Sequence, residues 1–331
     1  MLAPLNGSAL EMFGELLQSP AFRDPGLSQA RTNTRTFIGN SQKNSLLRAE
    51  VEAAAQLFPE GHRFHKPVPE KTEVALVTPT DLASFHTYVF EPAHTTVVVV
   101  GDMEPGAVTK TLEKTFVGRP ASPLPEHPPL AAPPPLSGTA VRFLHEPGAK
   151  QATIVLSWVG PARNHPDEAA LEIAGALLRD RLHAVLRIDH GWTYGVAGNF
   201  LLTRSAGRIS VHTDVDMAHV ADALREMRRV LDELPLQPPS KGYLDDYRKW
   251  EATHLAEAFS SEVETADALA SLAGAGRTIA WARGLDARLA AVTPEMVLLA
   301  AKQWLTVGRA TLVVVGEQSA EKAIDKFLDT K

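Results

Sequence analysis

The 331-residue chain has no cysteine. That excludes disulfides and thiolate metal sites, and it leaves the cytosol, the periplasm and the exterior equally open. Aromatic residues are scarce, at 6%. No apolar run approaches the roughly 20 residues that a membrane-spanning helix needs, so no membrane segment is expected. The stretch after Met1 carries no positive n-region and no small-residue cleavage site, so no signal peptide is legible. The formal net charge is -6, and no block of Lys and Arg forms a nucleic-acid footprint. What remains is a soluble globular composition, 44% hydrophobic and 22% charged, long enough for about two domains.

The chain repeats itself. In residues 74–101 (VALVTPTDLASFHTYVFEPAHTTVVVVG) and in 289–316 (LAAVTPEMVLLAAKQWLTVGRATLVVVG), Val-Thr-Pro opens a helix, an amphipathic stretch follows and a β-branched run ends in glycine. The offset is 215 (292 − 77), and it also superposes Glu226-Met227 on Glu11-Met12 and Pro235 on Pro20. Four landmarks at one offset predict two homologous units. Between them, Gly118 to Gly138 holds eight prolines in 21 residues, which forbids a helix and predicts a semi-rigid linker. The expected division is therefore 1–117 as a first unit, 118–138 as linker and 139–331 as a complete second unit. The same offset would begin the first unit near position −76 (139 − 215), so its first third is expected to be absent from this sequence.

In the second unit, Ala140–Glu146 and Thr153–Val159 read as strands. Asn164 and Pro166 announce a long helix to about Arg187, with Leu171, Ala174, Leu177, Leu178, Leu182, Val185 and Leu186 at helical spacing. Val196–Leu202 and Arg208–Thr213 read as a hairpin turning at Ser205-Ala206-Gly207. Helices follow over Met217–Leu234 and, punctuated by Gly274-Ala275-Gly276 and Gly284, from Ser240 almost to Val292, then a strand at Thr311–Val315 and a helix at Ala320–Leu328. The first unit reads as helices at Ala9–Leu17, Leu27–Leu57, Pro79–Tyr88 and Pro105–Thr115, with a strand at Thr96–Val100. Helices in runs beside interleaved strands predict an α+β fold, each unit a mostly antiparallel sheet with helices on one face.

Leu186 to Tyr194, LRIDHGWTY, is the stretch richest in chemistry. It sets Arg187 and Tyr194 seven residues apart across Gly191. Together with the duplication, the proline-bearing linker, VVVVGD at Val97–Asp102 and HPDEAALEIAGALL at His165–Leu178, it resembles the insulinase/pitrilysin-type (inverzincin) metallopeptidases, close to the mitochondrial processing peptidase subunits. The resemblance covers nearly the whole chain. It implies that Arg187 and Tyr194 reach the substrate backbone near the scissile bond from the half without metal. Guanidinium and phenol are both donors suited to a peptide carbonyl. The ordinary reading of the two residues is an Arg at a helix C-terminus and a Tyr opening a strand. Trp192, inside the same turn, would line a peptide groove, and Gly195 and Gly198 would admit a substrate backbone or mark a bulge. Ile188 stands where the family usually has Glu, and Arg179–His183 replaces its glycine-rich turn.

The family's zinc motif, H-x-x-E-H, occurs nowhere in the chain. The third ligand would lie near Arg35 to Ile38, yet between Glu15 and Glu50 the only acidic residue is Asp24. The Ser28–Arg48 segment carries Arg31, Arg35, Lys43 and Arg48 instead. His62 and His65 lack an intervening Glu, His165 and Glu168 form only half a motif, and Glu168 with Glu172 reads as a solvated helix face. No metal ligands and no catalytic residues are therefore expected in this chain, and zinc is expected only in a partner. The preferred reading is a non-catalytic, substrate-binding subunit, inactive alone. Its partners would be a zinc-bearing homologous peptidase subunit and a peptide substrate. The alternative is a scaffold of the same fold without proteolysis.

Overall fold

A computed structural model describes residues 6–91, 95–116, 133 and 138–328. In chain order its elements are α1 (Asn6–Gln18), α2 (Gly26–Ser41), α3 (Ser45–Leu57), α4 (Lys71–Leu76), α5 (Pro79–Val89), α6 (Pro105–Phe116), β1 (Ala140–His145), β2 (Gln151–Gly160), α7 (Glu168–His183), β3 (Thr193–Leu202), β4 (Gly207–Asp216), α8 (Val220–Glu233), α9 (Lys241–Glu257), α10 (Glu262–Gly274), α11 (Ile279–Arg283), α12 (Leu285–Ala290), α13 (Pro294–Trp304), β5 (Thr311–Gly316), α14 (Gln318–Ala323) and α15 (Asp325–Leu328). They fall into two compact units, neither continuous in sequence. One is drawn from Met1–Phe37, Glu70–Pro128 and Glu251–Leu285, the other from Ile38–Pro69, Pro129–Trp250 and Asp286–Lys331. Most of the expected linker, 118–138, lies outside the described residues.

The first unit is helical among its described residues, with α1 packed on α6. The Thr96–Val100 run, expected as a strand, joins no ladder among the described residues. A β-branched run becomes a strand only where neighbours complete its hydrogen bonds. The two Val-Thr-Pro segments do cap their helices alike. Thr78 Oγ1 accepts from Asp81 N at 3.2 Å and Thr293 Oγ1 from Met296 N at 3.3 Å, each with proline in the first turn. The expected single helix over Leu27–Leu57 is broken between Ser41 and Ser45, because the Asn44 side chain accepts from Leu47 N at 2.8 Å and starts a new helix. The long expected helix from Ser240 breaks in a similar way before α10, where Ser261 caps.

The second unit holds one five-stranded sheet in the order β1-β5-β2-β4-β3. Only β1 and β5 run parallel; the other pairs are antiparallel, as the α+β reading expects. Alternation divides the faces. Gly175 and Gly198 lie against Ile209, Val211 and Arg179, so α7 covers the face carrying Ile154, Leu156 and Trp158. Val155, Val313 and Val315 point the other way and pack on Ala49 and Ala53 of α3. Helices thus lie on both faces, where one was expected. The reason is that a helix from the first third of the chain joins this sheet, and its alanines permit close approach. That explains why β2 is buried almost throughout its length. Charged groups fix the register of α3 at its margins: Arg48 pairs with Glu146 at 3.1 Å, Arg142 with Glu52 at 3.4 Å, and Arg208 with Glu50. Burial pushes the Arg208 guanidinium below its ordinary value, and the Glu50 charge works against that.

Candidate functional site

The end of α7 builds the site. Ile173, Ala174, Leu178 and Leu182 are fully buried, so the helix is fixed against the sheet. The last turn widens into a π-helical segment, Ala184–Asp189, with Leu186 as its buried residue. Beyond it residues 187–191 are all exposed. Gly191 turns the chain at φ 68°, a left-handed conformation that favours glycine. Trp192 N then donates to Leu186 O at 2.9 Å, and Asp216 N to Trp192 O at 3.1 Å, which delivers the chain to the edge of the sheet.

The structure brings Arg187 and Tyr194 together. The guanidinium carbon of Arg187 lies 5.5 Å from the centre of the Tyr194 ring, a cation–π contact. Arg187 Nη1 also donates to Thr193 O at 3.3 Å. Among the described residues Arg187 has no carboxylate partner, and the Tyr194 hydroxyl has no hydrogen-bond partner. Tyr194 is 89% exposed on β3, the edge strand. An exposed phenol beside an unpaired guanidinium can donate several hydrogen bonds to an incoming carbonyl.

Tyr194 lies within a bulge. The β3–β4 register shifts between Thr193 and Val196, the disruption that the Gly195 alternative predicts. Thr193 and Thr213 are buried inside it, with Oγ1 atoms 2.8 Å apart. Thr213 Oγ1 donates to Gly195 O at 2.9 Å, and Gly195 N donates to Thr193 Oγ1 at 3.1 Å. Gly198 has a different role: a Cβ there would meet Ser210 O at 3.4 Å and Val211 Cγ1 at 3.6 Å, so it serves packing inside the fold.

Trp192 is half-buried and stacks with two imidazoles. The His190 ring lies 4.0 Å away at 5°, and the His219 ring 5.5 Å away at 15°. Sequence reasoning missed both histidines and both threonines. His190 sits within the motif, but His219 and Thr213 become neighbours only through β4, so nothing in their spacing marks them.

The other expected candidates are structural. His62 stacks on Phe58 at 4.7 Å and its Nδ1 accepts from Phe64 N at 3.2 Å. His65 Nδ1 lies 2.7 Å from Phe58 O. His165 Nδ1 accepts from Asp167 N at 3.1 Å and Glu168 accepts from Asn164 N at 2.8 Å, so both shape the start of α7. The residues available for a zinc ion do not fit one. α2 carries no carboxylate, its Arg31 donates to Val77 O, and no three His, Asp or Glu side chains converge among the described residues. Among them, too, no helix is long and apolar enough to cross a membrane.

Known proteins agree with this architecture. The chain superposes on the peptidase M16 inactive domain from Pseudomonas fluorescens with a TM-score of 0.83 at 19% identity, covering 96% of this chain and 76% of that one. A protease from Helicobacter pylori gives 0.84 at 16% identity, covering 95% and 77%. The periplasmic protease PqqL from Escherichia coli gives 0.71 at 16%, covering 94% of this chain and 35% of that one. At such identities the likeness is one of fold. No curated protein matches the chain. The model of the peptidase M16 inactive domain, however, matches residues 76–249, more than half of the 331 residues and the whole of the Arg187–Tyr194 turn, and this chain therefore belongs to that family.

Proposed function

We propose that this chain is the non-catalytic, substrate-binding subunit of a heteromeric M16-type zinc peptidase. It presents Arg187 and Tyr194 to a peptide whose cleavage takes place at the zinc of a separate, homologous subunit. The observation that carries this reading is the pair itself. Arg187 at the end of α7 and Tyr194 on the edge strand meet at 5.5 Å, and apart from the Arg187 Nη1 bond to Thr193 O both keep free donors among the described residues. The guanidinium holds the peptide backbone, and the phenol donates to the carbonyl oxygen as negative charge develops on it. Two units of common origin belong to the same reading; the matching helix caps at Thr78 and Thr293 support it.

Binding of fluorescein-labelled casein peptides, followed by anisotropy, tests this reading. Binding that weakens about tenfold or more in Arg187→Ala and Tyr194→Ala supports it. Absence of binding by the unaltered chain, or binding indifferent to both substitutions, favours a scaffold of the same fold.

A further inference from the structure

We propose that His219, acting through Trp192, is a positioning residue for the Arg187–Tyr194 pair. The proposal rests on the substrate-binding reading for its consequence, but not for its geometry. Residues 187–191 are all exposed, and Ile188 at 70% exposure gives the segment no apolar anchor. Whereas Arg187 lies against Tyr194 and Thr193 at the start of β3, Trp192 packs on the turn that precedes α8. Its main chain is pinned at both sides, by Leu186 O at 2.9 Å and Asp216 N at 3.1 Å. Its indole stacks on His219 at 5.5 Å and 15°.

His219 is itself well placed to serve as a wall. It ends the 3-10 turn Met217–His219, and Met217 N donates to Lys150 O at 3.0 Å, tying that turn to the start of β2. The next residue, Val220, is buried as α8 begins. His219 is therefore fixed to the sheet and to α8, whereas His190 travels with the exposed segment. A ring on the rigid side holds Trp192, and Trp192 holds the two ends of the turn from which Arg187 and Tyr194 project. Because association costs the ordering of side chains and loops, a turn held in place before binding gives tighter binding.

The experiment compares His219→Ala with His219→Phe, which keeps an aromatic face and loses the imidazole nitrogens. In the Ala variant, hydrogen exchange at the Trp192 and Asp216 amides accelerates roughly threefold to tenfold, the worth of one aromatic pair. Casein-peptide affinity falls by a similar factor, and the unfolding midpoint stays in place. The Phe variant returns exchange and affinity to those of the parent. Unchanged exchange in His219→Ala overturns the proposal, as does a Phe variant that behaves like Ala. If exchange follows the prediction while the parent chain binds no peptide, the positioning role stands and the substrate-binding reading is what fails.

Discussion

Thr193 and Thr213 face each other across β3 and β4 with their hydroxyl oxygens 2.8 Å apart, both buried beneath the most exposed tyrosine of the site. The pair closes the hydrogen bonds of a bulge that would otherwise leave Gly195 O without a donor. Thr213→Val removes one hydroxyl and keeps the shape. It removes the Thr213 bonds to Thr193 Oγ1 and to Gly195 O, which still bond each other at 3.0 Å, at a cost of about 0.5–1.5 kcal/mol. The expected result is a lower urea midpoint together with weaker peptide binding, because Tyr194 lies within the same bulge. Equal stability of variant and parent contradicts the assignment.

Tyr194→Phe removes the donor and keeps the ring beneath Arg187. In the pair assembled with a zinc-bearing subunit, kcat should fall about tenfold or more, since one oxyanion donor commonly accounts for that much. Steady-state kinetics on the reconstituted pair measures it. An unchanged kcat removes the phenol from the mechanism.

Gly207 opens β4 where the hairpin closes. A Cβ there would stand 2.7 Å from Pro161 O and 2.2 Å from Leu202 Cδ2, and the backbone oxygen cannot move aside cheaply. Gly207→Ala should therefore destabilise the second unit by about 1–3 kcal/mol, the usual cost of overpacking. Gly195→Ala is the control, because its Cβ would meet only His183 atoms at 3.9 Å. Equal urea midpoints for the two variants refute the steric argument.

Stability should fall as the solution is acidified from neutrality, and His62 is one named cause. Burial first, and the Arg63 charge second, hold its pKa below the ordinary 6.5. Its Nδ1 already accepts from Phe64 N, so protonation breaks that bond. The unfolded chain then binds the proton more readily than the folded one. The neutral histidine's stability is thus complete above the ordinary value and is lost as pH falls toward the folded one. His62→Phe, which keeps the stack on Phe58, should flatten urea midpoints measured between about pH 7.5 and 5. An unaltered slope contradicts this. A lower window follows for Glu317, whose pKa is depressed chiefly by the Gly148 backbone N–H. Its contribution is present above the ordinary carboxylate value of 4.5 and disappears as pH falls through the folded one.

Local signals carried much of the architecture. Alternating and continuous apolar runs located all five strands of the sheet, Val-Thr-Pro located two helix starts, and the Arg187–Gly191–Tyr194 spacing located the pair that the fold brings into contact. What escaped was tertiary. The placement of α3 on the second sheet depends on Ala49 and Ala53 meeting Val155 and Val313, contacts between residues about a hundred or more positions apart. The run at 96–100 has the composition of a strand, yet a strand is a property of its neighbours as much as of itself. Thr213 and His219 were invisible for a related reason. Each matters only because the strand register or the turn after β4 places it beside the turn that carries the pair.

The central claim, that this chain binds substrate without itself being the metal centre, is tested most directly by elemental analysis for zinc on the purified, dialysed chain. Zinc content should lie far below one ion per chain, because α2 carries Arg31 and Arg35 where a ligand would be needed. Zinc in a one-to-one ratio that survives dialysis would contradict it and make this chain itself a candidate peptidase.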